Sequence, residues 1–410
     1  MDASSPAWTR KEWVRGLARA AGRGLGALPG SSRRFGPPRG FYATLEEWAA
    51  AEAGPGCGAN RLMALNPARP EQRPVPVMAD APIRALFERM IPGQVKPQAV
   101  AVLERGRYWG RGFGYVVTAR DALVCGLSPE FAGFGALDNP PAAHDGLHAW
   151  RLPAVRRFRG RLLVLNTLFC ANFHHWLLDT LPKFELLRRA GLGWGDYDGV
   201  VFDYQDNRWQ NEALEILGVP REKIVRSDAG VHLEADELIV PTYGEPGGCP
   251  EKYSYSPEGT AFVRELFLPP ERHDPEARGK KILLSRRMAG ARRLQDEAGM
   301  MAALGPLGFE AHCMENYTVR EQAALFAGAD AVVMPHGGGL ANCVFLPRGS
   351  AVVELFDPTY LPTFMMPLAA RMGLKYAALV GAPPPDDAGR QDIVMEPGRV
   401  VEALRELGKA

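Results

Sequence analysis

The sequence predicts an α/β fold whose C-terminal part is a doubly wound parallel sheet with helices on both faces. From residue 281 onward, short apolar segments rich in β-branched residues alternate with segments of helical periodicity. This alternation is typical of parallel sheets, because neighbouring parallel strands are joined by crossover helices. A glycine run also follows one apolar segment directly, as in many ligand-binding turns between a strand and a helix. The predicted order is strand Lys281–Ser285, helix Asp296–Leu304, strand Phe309–His312, helix Val319–Gly328, strand Ala331–Met334, glycine loop Gly337–Gly339, a helix from Leu340, and strand Ala351–Phe356.

The length of 410 residues exceeds what one ordinary core accommodates, so several domains are expected. Signals before the C-terminal part are mixed, and prolines and charges cluster at Leu268–Gly279, which we interpret as a hinge. The predicted segments are a basic arm and linker (1–40), an N-terminal domain (41–270), a C-terminal domain (271–385) and a final helix (386–410) that packs back on the N-terminal domain. Predicted elements of the N-terminal domain are strands Gly114–Thr118 and Arg161–Leu165 and helices His174–Ala190 and Gln210–Leu217.

The composition indicates a globular protein with no overall attraction for nucleic acid. Apolar residues make up 46%, charged residues 23%, and the formal net charge is +1. The six cysteines are widely spaced, so neither a zinc site nor a disulfide framework is predicted. Because the sequence also lacks an apolar segment long enough for a secretory signal or a membrane span, we expect a cytoplasmic protein.

The segment Trp8–Gly24 has basic residues at successive four-residue steps, from Lys11 to Arg23. Such a helix is suited to peripheral contact with an anionic membrane, here the inner membrane. A solvated arm explains the same pattern, because the apolar face is thin, and both interpretations stay open. The Pro/Gly/Arg-rich stretch Gly30–Gly40 is predicted to be a linker.

The glycine loop Gly337–Gly339 follows the apolar strand Ala331–Met334 and is preceded by His336. A strand that enters a helix through glycines places bare N–H groups and the positive helix end at one position, where phosphate binds readily. Each of Gly337, Gly338 and Gly339 also lets the backbone approach a ligand closely. The loop matches neither a dinucleotide fingerprint nor a Walker loop. A tight turn without a ligand is the alternative.

Two further features of the C-terminal domain suit a nucleotide. The strand Lys281–Ser285 leads directly into Arg286 and Arg287, and arginine side chains bind phosphate oxygens well. Glu354 ends an apolar strand, and a carboxylate there accepts hydrogen bonds from both ribose hydroxyls. A solvated cluster of arginines, and a carboxylate that only caps a helix or pairs with an arginine, are the alternatives.

The segment Asn172–Pro182 carries the acid–base candidates. His175 and Asp179 are four residues apart, so a helix places them on one face, where the carboxylate orients the imidazole or acts beside it. Either group would serve as a general base. With His174 the pair would instead form part of a metal site, although no further ligands follow at a recognisable spacing. A histidine packed in the core is the third interpretation.

Together, N-x-x-H-W-x-x-D-x-L-P, S-R-R, P-H-G-G-G-L-x-N and V-V-E-L resemble glycosyltransferase family 61 in type and order over about Arg161–Phe356. Bacterial members are often described as capsular polysaccharide biosynthesis proteins. The resemblance implies a GT-B-type fold, in which two Rossmann-like lobes face a cleft. It also implies inversion at the anomeric carbon, a nucleotide-diphosphate sugar donor, and neither a metal nor another cofactor. Gly338 stands where the family usually has alanine, a change small enough to keep the phosphate interpretation.

The resemblance assigns Asn172, His175 and Asp179 to the acceptor side and the catalytic motif. On the donor side it places Ser285, Arg286, His336, Gly337, Gly338, Gly339 and Glu354, to which we add Arg287 because it adjoins this set.

The sequence thus predicts an inverting glycosyltransferase, for a hexose or a pentose, acting in surface polysaccharide or glycoconjugate synthesis. Its expected partners are a nucleotide-sugar donor and a glycan or lipid-linked glycan acceptor. Asp179, held by His175, is predicted to deprotonate the acceptor hydroxyl. Two rivals remain. One is a metal-dependent hydrolase or phosphotransferase using His174, His175, Asp179 and His336, and the other is a non-catalytic protein that binds sugar nucleotides or glycans.

Overall fold

The structure, a computed structural model, describes residues 21, 37–54, 56–130, 140–149, 152–242, 253–269, 278–385 and 391–410. The arm predicted at Trp8–Gly24 lies outside these ranges except for Ala21, as do most of the linker and residues 270–277 of the predicted hinge. The described strands are β1 (Gly40–Tyr42), β2 (Arg61–Asn66), β3 (Arg69–Glu71), β4 (Met78–Ala79), β5 (Gly93–Val95), β6 (Gln98–Glu104), β7 (Arg107–Trp109), β8 (Tyr115–Val117), β9 (Ala122–Val124), β10 (Arg156–Val164), β11 (Gly199–Phe202), β12 (Ile224–Arg226), β13 (His232–Pro241), β14 (Lys280–Ser285), β15 (Phe309–Cys313), β16 (Ala329–Pro335), β17 (Ala351–Phe356) and β18 (Lys375–Val380).

The α-helices pack on the faces of two sheets. They are α1 (Leu45–Glu52), α2 (Ala81–Glu88), α3 (Phe173–His175), α4 (Pro182–Arg189), α5 (Arg208–Ile216), α6 (Pro257–Phe267), α7 (Glu297–Leu304), α8 (Val319–Ala327), α9 (Met365–Met372) and α10 (Pro397–Glu406). A π-helical turn, Trp176–Thr180, lies between α3 and α4. No helix in the described ranges has both the length and the apolar character needed to cross a bilayer.

The C-terminal sheet is parallel throughout, with strand order β15-β14-β16-β17-β18-β4. Alternate residues of its strands face two different apolar clusters: Ile282 and Leu284 pack in one, and Leu283 packs in the other. Strands buried on both faces are characteristic of doubly wound sheets, which the sequence predicted here. The carboxyl ends of β14, β16 and β17 lie at one edge, so the residues that follow these strands are neighbours in space.

The larger sheet is mixed, and this differs from the Rossmann-like lobe that the resemblance implies. Its parallel part runs β13-β10-β11-β12. On the other side of β13, strands β6 to β9 and β2 pair mainly antiparallel. Connections between β6 and β9 are too short for crossover helices, and short connections favour antiparallel neighbours.

Two elements lie elsewhere than the predicted domain division suggests. Strand β4 belongs to the N-terminal part of the sequence but pairs with β18 of the C-terminal sheet. The final helix, α10, lies on the C-terminal sheet, and its Arg399 bonds to Asp80, just after β4, at 2.7 Å. Its apolar residues Val400 and Leu404 share a cluster with Met300 and Leu304 of α7, so α10 covers the C-terminal sheet. The reason is that α7 and α10 present matching apolar faces.

Candidate active site

The catalytic candidates lie on the helical stretch from α3 to α4. Asn172 caps its start, since Oδ1 accepts a hydrogen bond from the His174 N–H at 2.9 Å. Pro182 has no N–H to donate to the preceding turn, and the helix widens just before it: the Leu181 N–H bonds five residues back, to the Trp176 carbonyl, at 2.9 Å. Such π turns are frequent at functional sites. Both His175 and Asp179 lie on or beside this turn.

His175 and Asp179 form a hydrogen-bonded pair, as their spacing predicted. Nδ1 of His175 lies 2.6 Å from Oδ2 of Asp179, and the side chains are 10% and 4% exposed. Nε2 of His175 has no hydrogen-bond partner in the described part of the chain. The carboxylate therefore fixes the tautomer that carries its proton on Nδ1, and the lone pair on Nε2 is available to accept another proton.

Asp179 is held on its other side by Tyr253, whose hydroxyl donates to the same carboxylate oxygen. A neighbouring bond joins His174 Nε2 to the Tyr255 hydroxyl at 2.9 Å. Two hydrogen bonds thus hold one carboxylate oxygen in place, and Asp179 is better suited to orient His175 than to take a proton itself.

A buried ionic network positions the tyrosines from behind. Arg73 donates to the Tyr253 carbonyl at 2.6 Å and to Glu71 at 2.9 Å. Arg371 donates to the Tyr255 carbonyl at 2.8 Å and also pairs with Glu71. Because Glu71 is buried between the two guanidinium groups, its charge is compensated. Glu71 and Arg73, which lie before the segment covered by the resemblance, therefore support the site.

The glycine loop lies at the end of β16 and contacts Arg286 at the end of β14. Gly337 is extended, and a β-carbon there would lie 2.0 Å from Nη1 of Arg286, so only glycine leaves room for the guanidinium group. Within the described residues, the N–H groups of Gly337, Gly338 and Gly339 have no hydrogen-bond acceptor. The helix predicted from Leu340 is a 3₁₀ helix that begins within the loop, at Gly338–Phe345. Consecutive free amides of this kind form an anion-binding concavity.

A second arginine, Arg292, joins Arg286 at this loop. Arg286 is fixed by bonds to the carbonyls of Ala291 at 3.0 Å and Arg292 at 3.2 Å. Burial, followed by the charge of Arg292, lowers the pKa of Arg286 to about 10. The guanidinium of Arg292 lies 5.1 Å from the centre of the Tyr360 ring, and its buried Nε has no partner. Two mutually repelling cations beside free amides favour a bound anion.

The acid–base pair and the glycine loop meet in the structure. A β-carbon on Gly338 would lie 3.5 Å from Oδ1 of Asn172 and 3.9 Å from the backbone nitrogen of His174. The predicted residues Asn172, His175, Asp179, Arg286, His336, Gly337 and Gly338 are therefore gathered in one region. Gly339 packs the loop onto β14, because a β-carbon there would lie 2.8 Å from Leu284.

His336 forms a second histidine–carboxylate pair with Glu354, with Nδ1 2.6 Å from Oε1. Glu354 is 0% exposed, and its other oxygen accepts a hydrogen bond from Tyr376 at 2.6 Å. Burial raises the pKa of Glu354 to about 8 and lowers that of His336 well below its ordinary value. Both carboxylate oxygens are occupied by protein, so this geometry does not offer Glu354 to ribose hydroxyls.

Two other predicted residues lie apart from the loop. The hydroxyl of Ser285 is buried and hydrogen-bonded to Glu297 at 2.7 Å. Arg287 lines a separate cavity with Arg293, Glu297 and Asp392. Successive residues after a strand point in different directions, which explains why Arg286 reaches the glycine loop whereas Ser285 and Arg287 do not.

In the described ranges, no three histidine, cysteine or carboxylate side chains are grouped to hold a metal ion. Of the residues in the metal hypothesis, His174 bonds to Tyr255, and His175 and His336 each bond to one carboxylate.

Comparisons with known proteins cover the segment that carries most of these groups. Residues 173–353 match the glycosyltransferase 61 family model. The matched segment contains the His175–Asp179 pair, Arg286, Arg292 and the glycine loop, while Asn172 and Glu354 flank it. This match and two rice relatives support glycosyltransferase family 61 for this part of the chain.

Two similar curated proteins are from Oryza sativa subsp. japonica. The β-1,2-xylosyltransferase XYXT1 is 27% identical over 208 residues, which are 46% of this chain and 42% of that protein. The β-1,2-xylosyltransferase XAX1 is 36% identical over 204 residues, 45% of this chain and 34% of that protein. The match thus spans less than half the length of each relative. The solved structure of E. coli heptosyltransferase WaaC with ADP aligns with a TM-score of 0.30 and 12% identity, over 61% of this chain and all of that one.

Sequence reasoning missed several residues of this site. Tyr253, Tyr255, Tyr360 and Tyr376 carry no motif and reach the site only through the fold. Arg292 lies in a cluster of arginines, and nothing in the sequence distinguishes it from its neighbours. Its backbone φ of 57°, uncommon for arginine, turns it toward the loop, and a single sequence gives no sign of that conformation.

Proposed function

We propose that this chain is an inverting glycosyltransferase that moves a sugar from a nucleotide-diphosphate donor to a hydroxyl group of a glycan. One observation carries the proposal: a histidine oriented by a carboxylate, with Nε2 free, adjoins a glycine loop with free amides and two arginines. A proton acceptor beside an anion site is what a direct displacement of a diphosphate requires.

In the proposed step, Nε2 of His175 takes the proton of the acceptor hydroxyl while the hydroxyl oxygen attacks the anomeric carbon. The bond from that carbon to the diphosphate oxygen breaks, and its electron pair leaves with the nucleoside diphosphate. Asp179 stays ionised and stabilises the imidazolium that forms. This assignment exchanges the roles first predicted, because Asp179 already accepts two hydrogen bonds through one oxygen.

The leaving diphosphate would lie against Arg286, Arg292 and the amides of the glycine loop. Fixed donors stabilise developing charge without reorganising during the reaction, usually the largest contribution to catalysis. His336 adds a donor there. With the pKa of Glu354 raised to about 8, the proton between the two groups stays on Glu354 at neutral pH, and Nε2 of His336 carries the imidazole proton.

A pentose, and first of all xylose, is the donor sugar that we propose, because both rice relatives are named as xylosyltransferases. The acceptor in this proposal is a neutral glycan. Both relatives are plant proteins, so the bacterial capsular setting stays a prediction. The cytoplasmic location and the membrane contact of residues 8–24 also stay predictions.

A donor screen with a transfer assay tests the proposal. Thermal shifts with nucleoside-diphosphate sugars, including UDP-xylose, should reveal a ligand whose stabilisation grows with concentration. That donor should release nucleoside diphosphate in the presence of oligosaccharide acceptors, and EDTA should leave the rate unchanged. Loss of activity with EDTA would favour the metal enzyme, and donor binding without transfer would favour the binding protein.

A further inference from the structure

A polar cavity lies beside the acid–base pair, on the N-terminal sheet. Its volume is about 460 Å³, within the range of small-ligand sites. Its walls come from four loops, at residues 110–113, 166–172, 203 and 227–229. Asn172, which also touches the glycine loop, lines one end. Asn172 therefore borders both the cavity and the region where the proposed transfer occurs.

Two aromatic rings form an apolar wall of this cavity. Phe113 and Phe169 pack edge to face with their centres 4.9 Å apart. The Phe169 ring also lies near His175, with ring centres at 5.4 Å. Phe169 is 42% exposed and has φ of 50°, an uncommon conformation for a bulky residue. Unusual backbone of this kind persists where the surroundings enforce it, often at ligand sites.

The remaining described wall residues carry hydrogen-bonding groups. One oxygen of Asp203 accepts from Gln205, and one of Asp228 accepts from the Gly230 N–H at 2.7 Å. The second oxygen of each carboxylate has no described partner. None of the described lining residues is lysine or arginine. A diphosphate is repelled by such a wall, whereas sugar hydroxyls donate to carboxylates and sugar C–H faces pack on aromatic rings.

The walls are held in place from behind. Asn166 donates to the Phe113 carbonyl at 2.5 Å and accepts from the Asp203 N–H at 3.0 Å, which ties three of the loops together. A β-carbon on Gly110 would lie 2.2 Å from the Asp228 carbonyl oxygen, so the first loop, 110–113, also packs directly on the fourth, 227–229. A cavity with such fixed walls is preorganised for a ligand.

We infer that this cavity is the acceptor subsite: a neutral sugar unit stacks on Phe169, its hydroxyls bond to Asp203 and Asp228, and a further hydroxyl points to His175. This inference rests on the proposed function, because the bound sugar is the acceptor of the proposed transfer. The glycan-binding residues, Phe169, Asp203 and Asp228, take no part in the transfer step itself.

Three variants test the subsite. Phe169→Ala and Asp203→Asn should each weaken acceptor binding about five- to tenfold, the effect of losing one aromatic or polar contact. Phe169→Tyr should restore binding. Phe41→Ala is the matched control, because Phe41 is also exposed, at 41%, and lies outside the cavity. Binding is measured on an array of neutral oligosaccharides that includes xylotetraose, and donor binding is measured by thermal shift with UDP-xylose.

Glycan binding that falls in Phe169→Ala and Asp203→Asn, with an unchanged donor shift, supports the subsite. Absence of glycan binding, or equal binding by all variants, overturns it even if donor transfer is found. Glycan binding that depends on Phe169, in a protein that binds no nucleotide sugar and transfers none, would contradict the proposed function and leave the subsite standing.

Discussion

Two histidine–carboxylate pairs of the candidate site have the same hydrogen-bond length and different surroundings. Nδ1 lies 2.6 Å from the carboxylate oxygen both in His175–Asp179 and in His336–Glu354. The His175–Asp179 pair is partly accessible, and the Tyr253 hydroxyl also donates to its carboxylate. The second carboxylate is completely buried. The contact alone therefore does not define the role of such a pair.

In the proposed mechanism, the surroundings of each pair decide which ring nitrogen of the histidine carries the proton. An ionised Asp179 accepts from Nδ1 of His175 and leaves Nε2 as an acceptor. A protonated Glu354 donates to Nδ1 of His336 and leaves Nε2 as a donor, consistent with its pKa of about 8. In our account the first pair removes a proton from the acceptor, and the second binds the leaving group.

The largest effect is expected from His175→Gln. Glutamine keeps a polar side chain near Asp179 but accepts no proton at neutral pH, so the transfer rate should fall about 10²- to 10⁴-fold. Donor binding should change little, because His175 does not touch the anion site. Initial rates and donor thermal shifts measure both quantities, and His148→Gln is the control. A variant that retains more than half of the rate would show that His175 is not the base.

A smaller effect is expected at the arginines. Arg292→Ala should weaken donor binding about 10- to 100-fold, because it removes a charged contact to the diphosphate. Arg287→Ala should bind donor normally, since Arg287 lines another cavity. Calorimetric titration with the donor compares them. If both variants lose the same donor affinity, the total charge of the arginine cluster determines donor binding. The position of Arg292 at the glycine loop then has no special role.

The smallest effect is expected in the pH dependence of stability. The pKa of Glu354 is raised by folding from 4.5 to about 8, so its contribution to the free energy of unfolding is full below the lower value and is lost as pH rises through the higher. Urea unfolding between pH 5 and 8 should therefore show the native protein losing stability relative to Glu354→Gln, which keeps His336. The exposed control Glu310→Gln should follow the native protein. If the free energy of unfolding changes with pH in the same way in all three proteins, Glu354 is not the group that binds a proton in this pH range.

Much of the C-terminal sheet was predictable, because its strands are continuous apolar runs separated by helices with clear caps. Asp296 and Thr318, for example, cap α7 and α8. The proximity of His175 to Asp179 followed from a four-residue spacing. Apolar runs, helix caps and four-residue spacings involve residues that are close in the sequence, so they can be recognised from the sequence alone.

The rest depends on contacts between distant parts of the chain. Tyr253 reaches Asp179 across 74 residues, and Arg371 reaches Glu71 across 300. The role first given to Glu354 failed for the same reason. A carboxylate at a strand end looks available in the sequence. In the structure, however, Tyr376 on the neighbouring strand β18 and His336 directly after β16 both form hydrogen bonds with it.

The most direct test replaces each carboxylate by its amide, in Asp179→Asn and Glu354→Gln, and compares transfer rates with the donor found by screening. Asparagine at 179 would donate to Nδ1 of His175 and remove the lone pair on Nε2, so the rate should fall about 10²- to 10⁴-fold. Glutamine at 354 resembles the protonated acid, so its rate should stay within about threefold of the native enzyme. Equal losses in both variants, or a larger loss at position 354, would contradict the different roles of the two pairs.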